Sequence, residues 1–181
     1  MALMNDSFFS PTENDFAQDR QEGLRPSVVA CVINKKGQVL LGFKNKFGIW
    51  EMPQGRIEEG ENLISALERE IAEELGKSFL ESVFVPASPL LAVEQVIFPG
   101  SGIEDKKLSV GGKKIQMKGK KYYFCAVGQI QEREPEEIEY NEFGWFSAKK
   151  AFETIEQIPQ KGKKRILKKA VEILEKNGFI K

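Results

Sequence analysis

The chain has 181 residues, of which 41% are hydrophobic and 30% are charged. This length and composition favour one globular domain with a sizeable core. The 27 lysines and arginines balance the 27 aspartates and glutamates, so the net charge indicates no particular class of partner. The chain contains no histidine, which excludes Ser-His-Asp and Cys-His catalysis and any zinc site that needs histidine ligands.

The two cysteines, Cys31 and Cys125, lie far apart, each in an apolar run typical of a strand. We expect buried free thiols in a reducing compartment, and therefore a cytoplasmic protein. No apolar stretch approaches the ~18–20 residues that a membrane-spanning helix needs. Residues 1–15 lack the basic and apolar regions of a signal peptide. We expect no membrane association and no stable protein partner.

The predicted elements begin, in chain order, with a loose polar arm over residues 1–24, followed by a single domain over residues 25–181. The first two elements of that domain are apolar runs over residues 27–34 and 38–44. Lys35-Lys36-Gly37 separates them and is a turn signal, so the two runs predict a β-hairpin.

The next predicted element is a helix over residues 62–75, ended by Gly76. Residues 99–120 contain several glycines and many lysines, which predict a long loop or an irregular hairpin. Apolar residues at helical spacing predict a last helix over residues 163–176. Four further apolar runs predict strands: 82–86, 90–98, 121–130 and 143–147.

Three glutamates of the first predicted helix, Glu70, Glu73 and Glu74, are related by i+3 and i+4 spacing, so they converge on one face. Like charges this close destabilise a helix unless a cation neutralises them. Mg²⁺ is such a cation, since it prefers carboxylate oxygens. The alternative is a solvated acidic face, with Arg69 and Lys77 as its ion-pair partners.

The spacing around these glutamates is that of a known motif. Gly55, five residues, Glu61, seven residues and the run 69–76 (Arg-Glu-Ile-Ala-Glu-Glu-Leu-Gly) resemble the Nudix box, G-x5-E-x7-R-E-U-x-E-E-x-G-U, with U apolar. Only the closing apolar position departs, being Lys77. The resemblance implies an α+β fold of α/β/α layers, in which a mixed sheet lies between helices and the box forms a loop-helix-loop. The irregular mixture of predicted strands and helices agrees with that fold.

The residues that flank the box resemble those of one subgroup of the family. Residues 50–55 (Trp-Glu-Met-Pro-Gln-Gly) and the Arg25-Pro26 opening strand are similar to those of bacterial RNA pyrophosphohydrolases and plant-type dinucleoside polyphosphate hydrolases. Three features depart from the pattern. Arg56 replaces a frequent second glycine, and segment 99–113 looks like an insertion or a rebuilt loop. The tyrosine common in dinucleoside polyphosphate hydrolases is missing from the neighbourhood of residues 90–96.

The resemblance implies hydrolysis of phosphoanhydride bonds with Mg²⁺ as cofactor and Mn²⁺ as a substitute. The expected substrates are 5′-triphosphorylated RNA and dinucleoside polyphosphates such as diadenosine tetraphosphate, so the partner is a nucleotide or an RNA 5′ end. The alternatives are a nucleoside triphosphate or nucleotide-sugar pyrophosphohydrolase, and a non-catalytic nucleotide-binding module. Retention of the box glutamates favours an enzyme.

The resemblance also assigns residue roles. The expected metal ligands are Glu70, Glu73, Glu74 and the main-chain carbonyl of Gln54. Arg69 is expected to orient a box glutamate, with Glu61 as a partner around the metal and Gly55 as the box glycine. We expect Glu70 and Arg69 to take part in catalysis along with the general base.

The general base is expected in the late acidic segment, where Glu139 is favoured and Glu142 is the alternative. Arg25, Lys44 and Lys163 match basic positions expected to meet phosphate, although each is also compatible with a solvated surface cation. The lysine-rich segment 106–121 either guides an RNA 5′ end by electrostatics or is only solvated.

Overall fold

A mixed β-sheet with helices on both faces forms the centre of the protein, seen in a computed structural model that describes residues 10–100 and 106–181. The helices are α1 (Glu13–Gln21), α2 (Leu63–Leu75), α3 (Lys77–Leu80), α4 (Ala148–Glu156) and α5 (Lys161–Lys176). The strands are β1 (Leu24–Ile33), β2 (Val39–Lys44), β3 (Ile49–Glu51), β4 (Gln54–Arg56), β5 (Val83–Phe84), β6 (Leu90–Ile97), β7 (Lys107–Val110), β8 (Lys113–Gln116), β9 (Gly119–Gln129) and β10 (Glu142–Phe146).

The main sheet has eight strands among the described residues, in the order β10-β2-β1-β9-β5, with β3 on β2, β4 on β1 and β6 on β9. The central pair, β1 and β9, is parallel and stays in register from Leu24 opposite Gly119 to Ile33 opposite Gly128. The other strand pairs of this sheet are antiparallel. The predicted hairpin is confirmed, because β2 follows β1 and pairs with it.

The sheet is buried on both faces, which explains why β1 is apolar along nearly its whole length. Val28, Ala30 and Val32 face the side covered by α1, α2 and α3. Val29 and Cys31, which alternate with them, face the side covered by α4 and α5. Two cores therefore lie on opposite faces of one sheet, and the predicted α/β/α layering is confirmed.

The box helix α2 begins and ends where the sequence predicts. The side chain of its N-cap, Asn62, accepts a hydrogen bond of 2.9 Å from the main-chain N–H of Ser65. The chain leaves the helix at Gly76, whose φ of 97° lies in the region that favours glycine. A Cβ at this position would also meet the Glu136 carboxyl group at 2.3 Å. The helix end is therefore fixed by backbone conformation and by close packing.

The expectation of a loose arm over residues 1–24 is wrong for its described part. Thr12 starts α1, and its main-chain N–H donates to Asp15 Oδ2 at 2.7 Å. Phe16 is fully buried and packs edge-on against Tyr123 with 5.1 Å between ring centroids. One aromatic anchor in a polar helix produces no hydrophobic periodicity, so the sequence pattern does not reveal it. Residues 1–9 lie outside the described chain.

A second contact ties α1 to the sheet. Asp19 is buried and accepts a hydrogen bond of 2.6 Å from the Tyr123 hydroxyl and one of 2.7 Å from Lys121 Nζ. A buried carboxylate needs such partners. Lys121, part of the lysine-rich segment, therefore has a structural partner.

The described part of segment 99–121 contains a hairpin. Of the two alternatives predicted for this segment, a long loop and an irregular hairpin, the structure shows the hairpin. β7 pairs with β8 from Lys107 opposite Gln116 to Val110 opposite Lys113. Gly111 and Gly112 form the turn with φ values of 53° and 78°, which suit a two-residue hairpin loop. Residues 101–105 lie outside the described chain.

The cysteine prediction is confirmed, since Cys31 and Cys125 are both free and buried. They belong to different cores, on opposite faces of the sheet. Burial raises the pKa of the Cys31 thiol to about 12, so it stays protonated. Within residues 10–100 and 106–181, the helices are too short or too polar to cross a membrane.

Candidate functional site

The glutamates of α2 differ sharply in burial. Glu74 is 3% exposed and Glu70 is 7% exposed, whereas the Glu73 side chain is 57% exposed. Burial raises the pKa of Glu74 to about 7, although Lys44 opposes the shift. Burial likewise raises the pKa of Glu70, against hydrogen bonding from Arg69. A solvated acidic face would not show this burial, so the alternative interpretation fails for Glu70 and Glu74.

Arg69 gathers the carboxylates of the box. Its guanidinium donates to both oxygens of Glu61, at 2.7 and 3.0 Å, and to Glu70 Oε1 at 2.6 Å. It also donates to the main-chain carbonyl of Arg56 at 2.8 Å and reaches Glu73 Oε2 at 3.2 Å. The paired hydrogen bonds to Glu61 fix the guanidinium plane. Arg69 therefore joins the loop before the helix to two carboxylates on the helix.

The main chain of β4 passes directly over the α2 glutamates. A Cβ built on Gly55 would lie 2.0 Å from the Glu70 carboxyl carbon, so only glycine fits there. The neighbouring Gln54 donates its main-chain N–H to Glu74 Oε2 at 2.8 Å. Since N–H and C=O of one strand residue point to the same side, the Gln54 carbonyl also turns toward the site.

Lys44, on β2, lies at the centre of the site. Its Nζ is 2.9 Å from Glu74 Oε1, 3.0 Å from Glu51 Oε1 and 3.0 Å from Glu139 Oε2. Burial alone would lower the pKa of Lys44, but Glu74 and Glu51 together raise it above its usual value. The lysine thus stays charged and serves as counter-ion to three carboxylates.

Glu139 and Glu142, the two alternatives for the general base, lie in different places. Glu139 accepts from Lys44 Nζ and so shares a cation with Glu74. Burial favours a higher pKa for Glu139, but the hydrogen bond and the charge of Lys44 hold that pKa below the usual value. Glu142 is exposed on β10, opposite Phe43 of β2. The structure therefore brings Glu139, and not Glu142, to the box.

The basic residues of the site come from helix α5 and from the two central strands of the sheet. Lys163 Nζ is 2.7 Å from Glu51 Oε2. Arg25, at the start of β1, lies opposite Lys120 of β9 across the parallel pair. Burial lowers the pKa of Lys120 to about 8, with Arg25 and Lys163 adding to the shift. Lys120 therefore lies close to two further cations, and such a group of positive charges is suited to an anion.

Sequence reasoning missed several residues of this site. Glu51 is 5% exposed and bridges Lys44 and Lys163. Tyr140 is also buried and donates its hydroxyl to Glu74 Oε2 at 2.9 Å. A carboxylate directly before Met52-Pro53 and a tyrosine directly after Glu139 were visible in the motifs, but without the sheet register nothing indicated their partners. Lys120 was visible only as one lysine among many.

Gly42 makes room for Tyr140. A Cβ on Gly42 would lie 2.3 Å from the Tyr140 ring. The glycine in the middle of β2 therefore allows the tyrosine to reach Glu74 beneath the sheet.

A model of the NUDIX domain matches residues 23–169 of the chain. The chain belongs to the Nudix hydrolase family. Solved structures agree on the Nudix fold. A possible asymmetric diadenosine tetraphosphate hydrolase from Jonesia denitrificans has a TM-score of 0.60 and 20% identity, covering 84% of this chain and 95% of that one. A Caenorhabditis elegans Ap4A hydrolase has a TM-score of 0.57 and 14% identity, covering 85% and 97%.

Relatives in sequence carry Nudix names as well. An RNA pyrophosphohydrolase of Actinobacillus pleuropneumoniae is 46% identical over 55 residues, which is 30% of this chain and 27% of that protein. An RNA pyrophosphohydrolase of Campylobacter jejuni subsp. doylei is 27% identical over 172 residues, which is 90% of this chain and 99% of that protein. The more similar of these matches thus spans only about a quarter of the relative's length.

Nudix hydrolases use divalent metal ions, and the donor chemistry of this site fits one. Glu70 and Glu74 are buried hard-oxygen donors, and cationic side chains, Arg69 and Lys44, neutralise them. Within the part of the chain that the structure describes, no three acidic or cysteine side chains are yet placed to ligate one ion together. A metal would therefore take over charge that Arg69 and Lys44 supply.

Proposed function

We propose that this Nudix protein hydrolyses phosphoanhydride bonds of nucleotide-derived substrates, with Mg²⁺ as its metal and Mn²⁺ as a substitute. The preferred substrate is the 5′-triphosphate end of RNA, which is cut to a monophosphate, and dinucleoside polyphosphates are also accepted. The observation that supports this most is the contact between Lys44, Glu74 and Glu139, which places a carboxylate outside the box beside the box glutamates.

The basic side of the site supports a substrate rich in phosphate. Arg25 and Lys120 lie opposite each other on the two central strands, and Lys163 of α5 forms an ion pair with Glu51. A phosphate chain beside these cations would be neutralised on one side, with its reacting phosphorus toward Glu70 and Glu74. The names of the sequence relatives, RNA pyrophosphohydrolases, agree with this class of substrate.

The metal would be held by Glu70, Glu73, Glu74 and the main-chain carbonyl of Gln54. When bound, such an ion neutralises phosphate oxygens and lowers the pKa of water. Arg69 keeps Glu70 in place through the hydrogen bonds described above. Its link to Glu61 anchors the loop in front of the helix.

Glu139 acts as the general base. Its carboxylate is ionised near neutral pH and can therefore accept a proton. A water molecule forms a bond to phosphorus, the bond to the bridging oxygen breaks, and the water's proton passes to Glu139. Lys44, already hydrogen-bonded to Glu139, fixes the position of that carboxylate.

The test of this function is a substrate panel that compares 5′-triphosphorylated RNA, diadenosine tetraphosphate, ADP-ribose and nucleoside triphosphates by release of phosphate and pyrophosphate. We expect RNA and the dinucleotide to be cleaved in Mg²⁺. Glu139→Gln should lower kcat on the order of 100-fold or more, as removal of a general base does. Glu142→Gln, the matched control, should behave as wild type. Efficient cleavage of ADP-ribose alone, or an active Glu139→Gln enzyme, would contradict the proposal.

A further inference from the structure

A cavity of about 410 Å³ lies beside the box, between α1, the start of β1 and the β7–β8 hairpin. Its polar lining includes the cations Arg20, Arg25, Arg56 and Lys107, together with Ser109. Leu108 and Met117, both buried, line its apolar part. A cavity with apolar walls and a few convergent polar groups is the usual form of a ligand site.

Two departures from the Nudix pattern build this cavity. Arg56 stands where a second glycine is frequent, and the hairpin lies in the rebuilt segment after β6. The hairpin is fixed at both ends. Its turn residue Gly111 donates a main-chain N–H to Glu59 Oε1 at 3.1 Å, and Lys118 donates its main-chain N–H to the Gly23 carbonyl at 2.7 Å. The cavity wall is therefore attached to the box loop and to β1.

The charges of the cavity favour an anion. Four cations outnumber the two carboxylates of its lining, Glu58 and Glu59. Both carboxylates already have partners, since Glu58 accepts from Arg56 Nε and Glu59 accepts from the hairpin turn. Arg20 is also engaged, donating to the Ile57 carbonyl at 2.6 Å.

Arg25 differs from the other cations of the cavity. Its Nε is buried and has no hydrogen-bond acceptor among the described residues. A buried donor without a partner destabilises the folded protein unless a ligand or water satisfies it. Burial also lowers the pKa of Arg25, while Tyr122 and Glu70 raise it. Arg25 lines the cavity and is also close enough to the box glutamate Glu70 for the two charges to interact.

We propose that the cavity binds a second phosphate group of the substrate, one separated from the reacting phosphates by a nucleoside. Arg25 lines the cavity and interacts with Glu70, so neighbouring phosphates of one strand would reach both sites. Arg56, Lys107 and the Ser109 hydroxyl complete the second site, offering charge and hydrogen bonds to phosphate oxygens. The cavity thereby favours oligonucleotide 5′ ends over mononucleotides. This inference rests on the proposed function.

The experiment uses the full chain with Arg56 and Lys107 both changed to alanine. The Arg56 side chain is 64% exposed and its carbonyl still accepts from Arg69, so the fold should be retained. For a 5′-triphosphorylated trinucleotide we expect KM to rise on the order of tenfold with kcat unchanged, whereas KM for diadenosine tetraphosphate stays the same. Lys114→Ala, an exposed lysine of the same hairpin, removes one positive charge outside the cavity and should change neither KM.

Two results would overturn the proposal. An equal rise of KM for the trinucleotide and for diadenosine tetraphosphate would mean that the cavity serves the reacting phosphates. Weaker inhibition by inorganic phosphate without a change in trinucleotide KM would mean that the cavity takes free phosphate instead.

Binding without turnover separates this inference from the proposed function. A fluorescent 5′-monophosphorylated trinucleotide in EDTA should bind the wild type more tightly than the double variant. The slope of log affinity against log salt should become shallower by about 0.7 for each phosphate that the variant no longer neutralises. This outcome would support the cavity even if the substrate panel failed. Equal affinities would overturn it.

Discussion

Gly55→Ala tests whether the close contact between β4 and Glu70 fixes the position of the Glu70 carboxyl group. The new Cβ would lie 2.0 Å from the Glu70 carboxyl carbon and 2.0–2.1 Å from its oxygens. Favourable contacts between heavy atoms lie near 3.5 Å, so the carboxyl group must move by more than about 1 Å. That movement would disturb the 2.6 Å hydrogen bond from Arg69.

The expected effects of Gly55→Ala follow from that displacement. A misplacement of about 1 Å at a reacting centre lowers turnover on the order of 100-fold. Overpacking of a tight contact lowers the free energy of unfolding by about 1–3 kcal/mol. Steady-state kcat for a triphosphorylated substrate and urea unfolding measure the two effects separately.

Gly128→Ala is the matched control, because a Cβ on this other strand glycine would meet no atom within 4 Å. It should change neither kcat nor the unfolding midpoint. If Gly55→Ala kept kcat within about threefold of wild type, the close contact would not control the chemistry.

Two further predictions concern charge. Glu74→Gln keeps the side-chain shape but removes the charge of a proposed metal ligand, so we expect a folded protein with little remaining activity. It should also lack the rise in Tm that we expect Mg²⁺ to give the wild type. An unchanged Mg²⁺ shift in calorimetry would contradict this. The pKa of Lys120 is lowered from 10.5 to about 8, so KM for triphosphorylated RNA should rise between pH 7 and 9 as the lysine deprotonates, and Lys120→Met should flatten that rise. Because the unfolded chain binds more protons than the folded chain between pH 8 and 10.5, the same group should make stability increase with pH there, which urea unfolding of both proteins would show.

The elements that the sequence predicted well are those with strong local signals. The box helix has an N-cap at Asn62, an apolar stripe and a terminal glycine, all within one short segment. The β1–β2 hairpin combines two apolar runs with a glycine turn. The last predicted helix, over 163–176, was found as Lys161–Lys176.

The elements that it did not predict depend on contacts far along the chain. Helix α1 is held by Phe16 and Asp19, whose partner Tyr123 is more than 100 residues away. Helix α4 begins directly after its N-cap Ser147, which lies at the end of the run that the sequence pattern predicted as a strand. A local sequence pattern does not show such contacts between distant residues.

The candidate site divides in the same way, into features with a local sequence signal and features that depend on contacts between distant residues. The spacing of Glu70, Glu73 and Glu74 indicated a common helix face, but not that Glu73 alone would be exposed. The ion pairs of Lys44 join β2 to residues of β3, α2 and the segment before β10. Only the sheet register decides which of 27 cations meets which carboxylate. The sequence could therefore predict the chemistry of the site, but not which side chains of the site form ion pairs with each other.

The position of α1 has a consequence for where this protein can be cut. The NUDIX match begins at residue 23, after α1 has ended, and stops at residue 169 within α5. A chain trimmed to those limits would lack Asp19, so the Tyr123 hydroxyl would lose its hydrogen-bond acceptor. The trimming would also remove Val171 and Leu174 from the opposite core. The span of the family match is thus smaller than the unit that must fold together, and any transplant of the site into another protein has to carry both flanks.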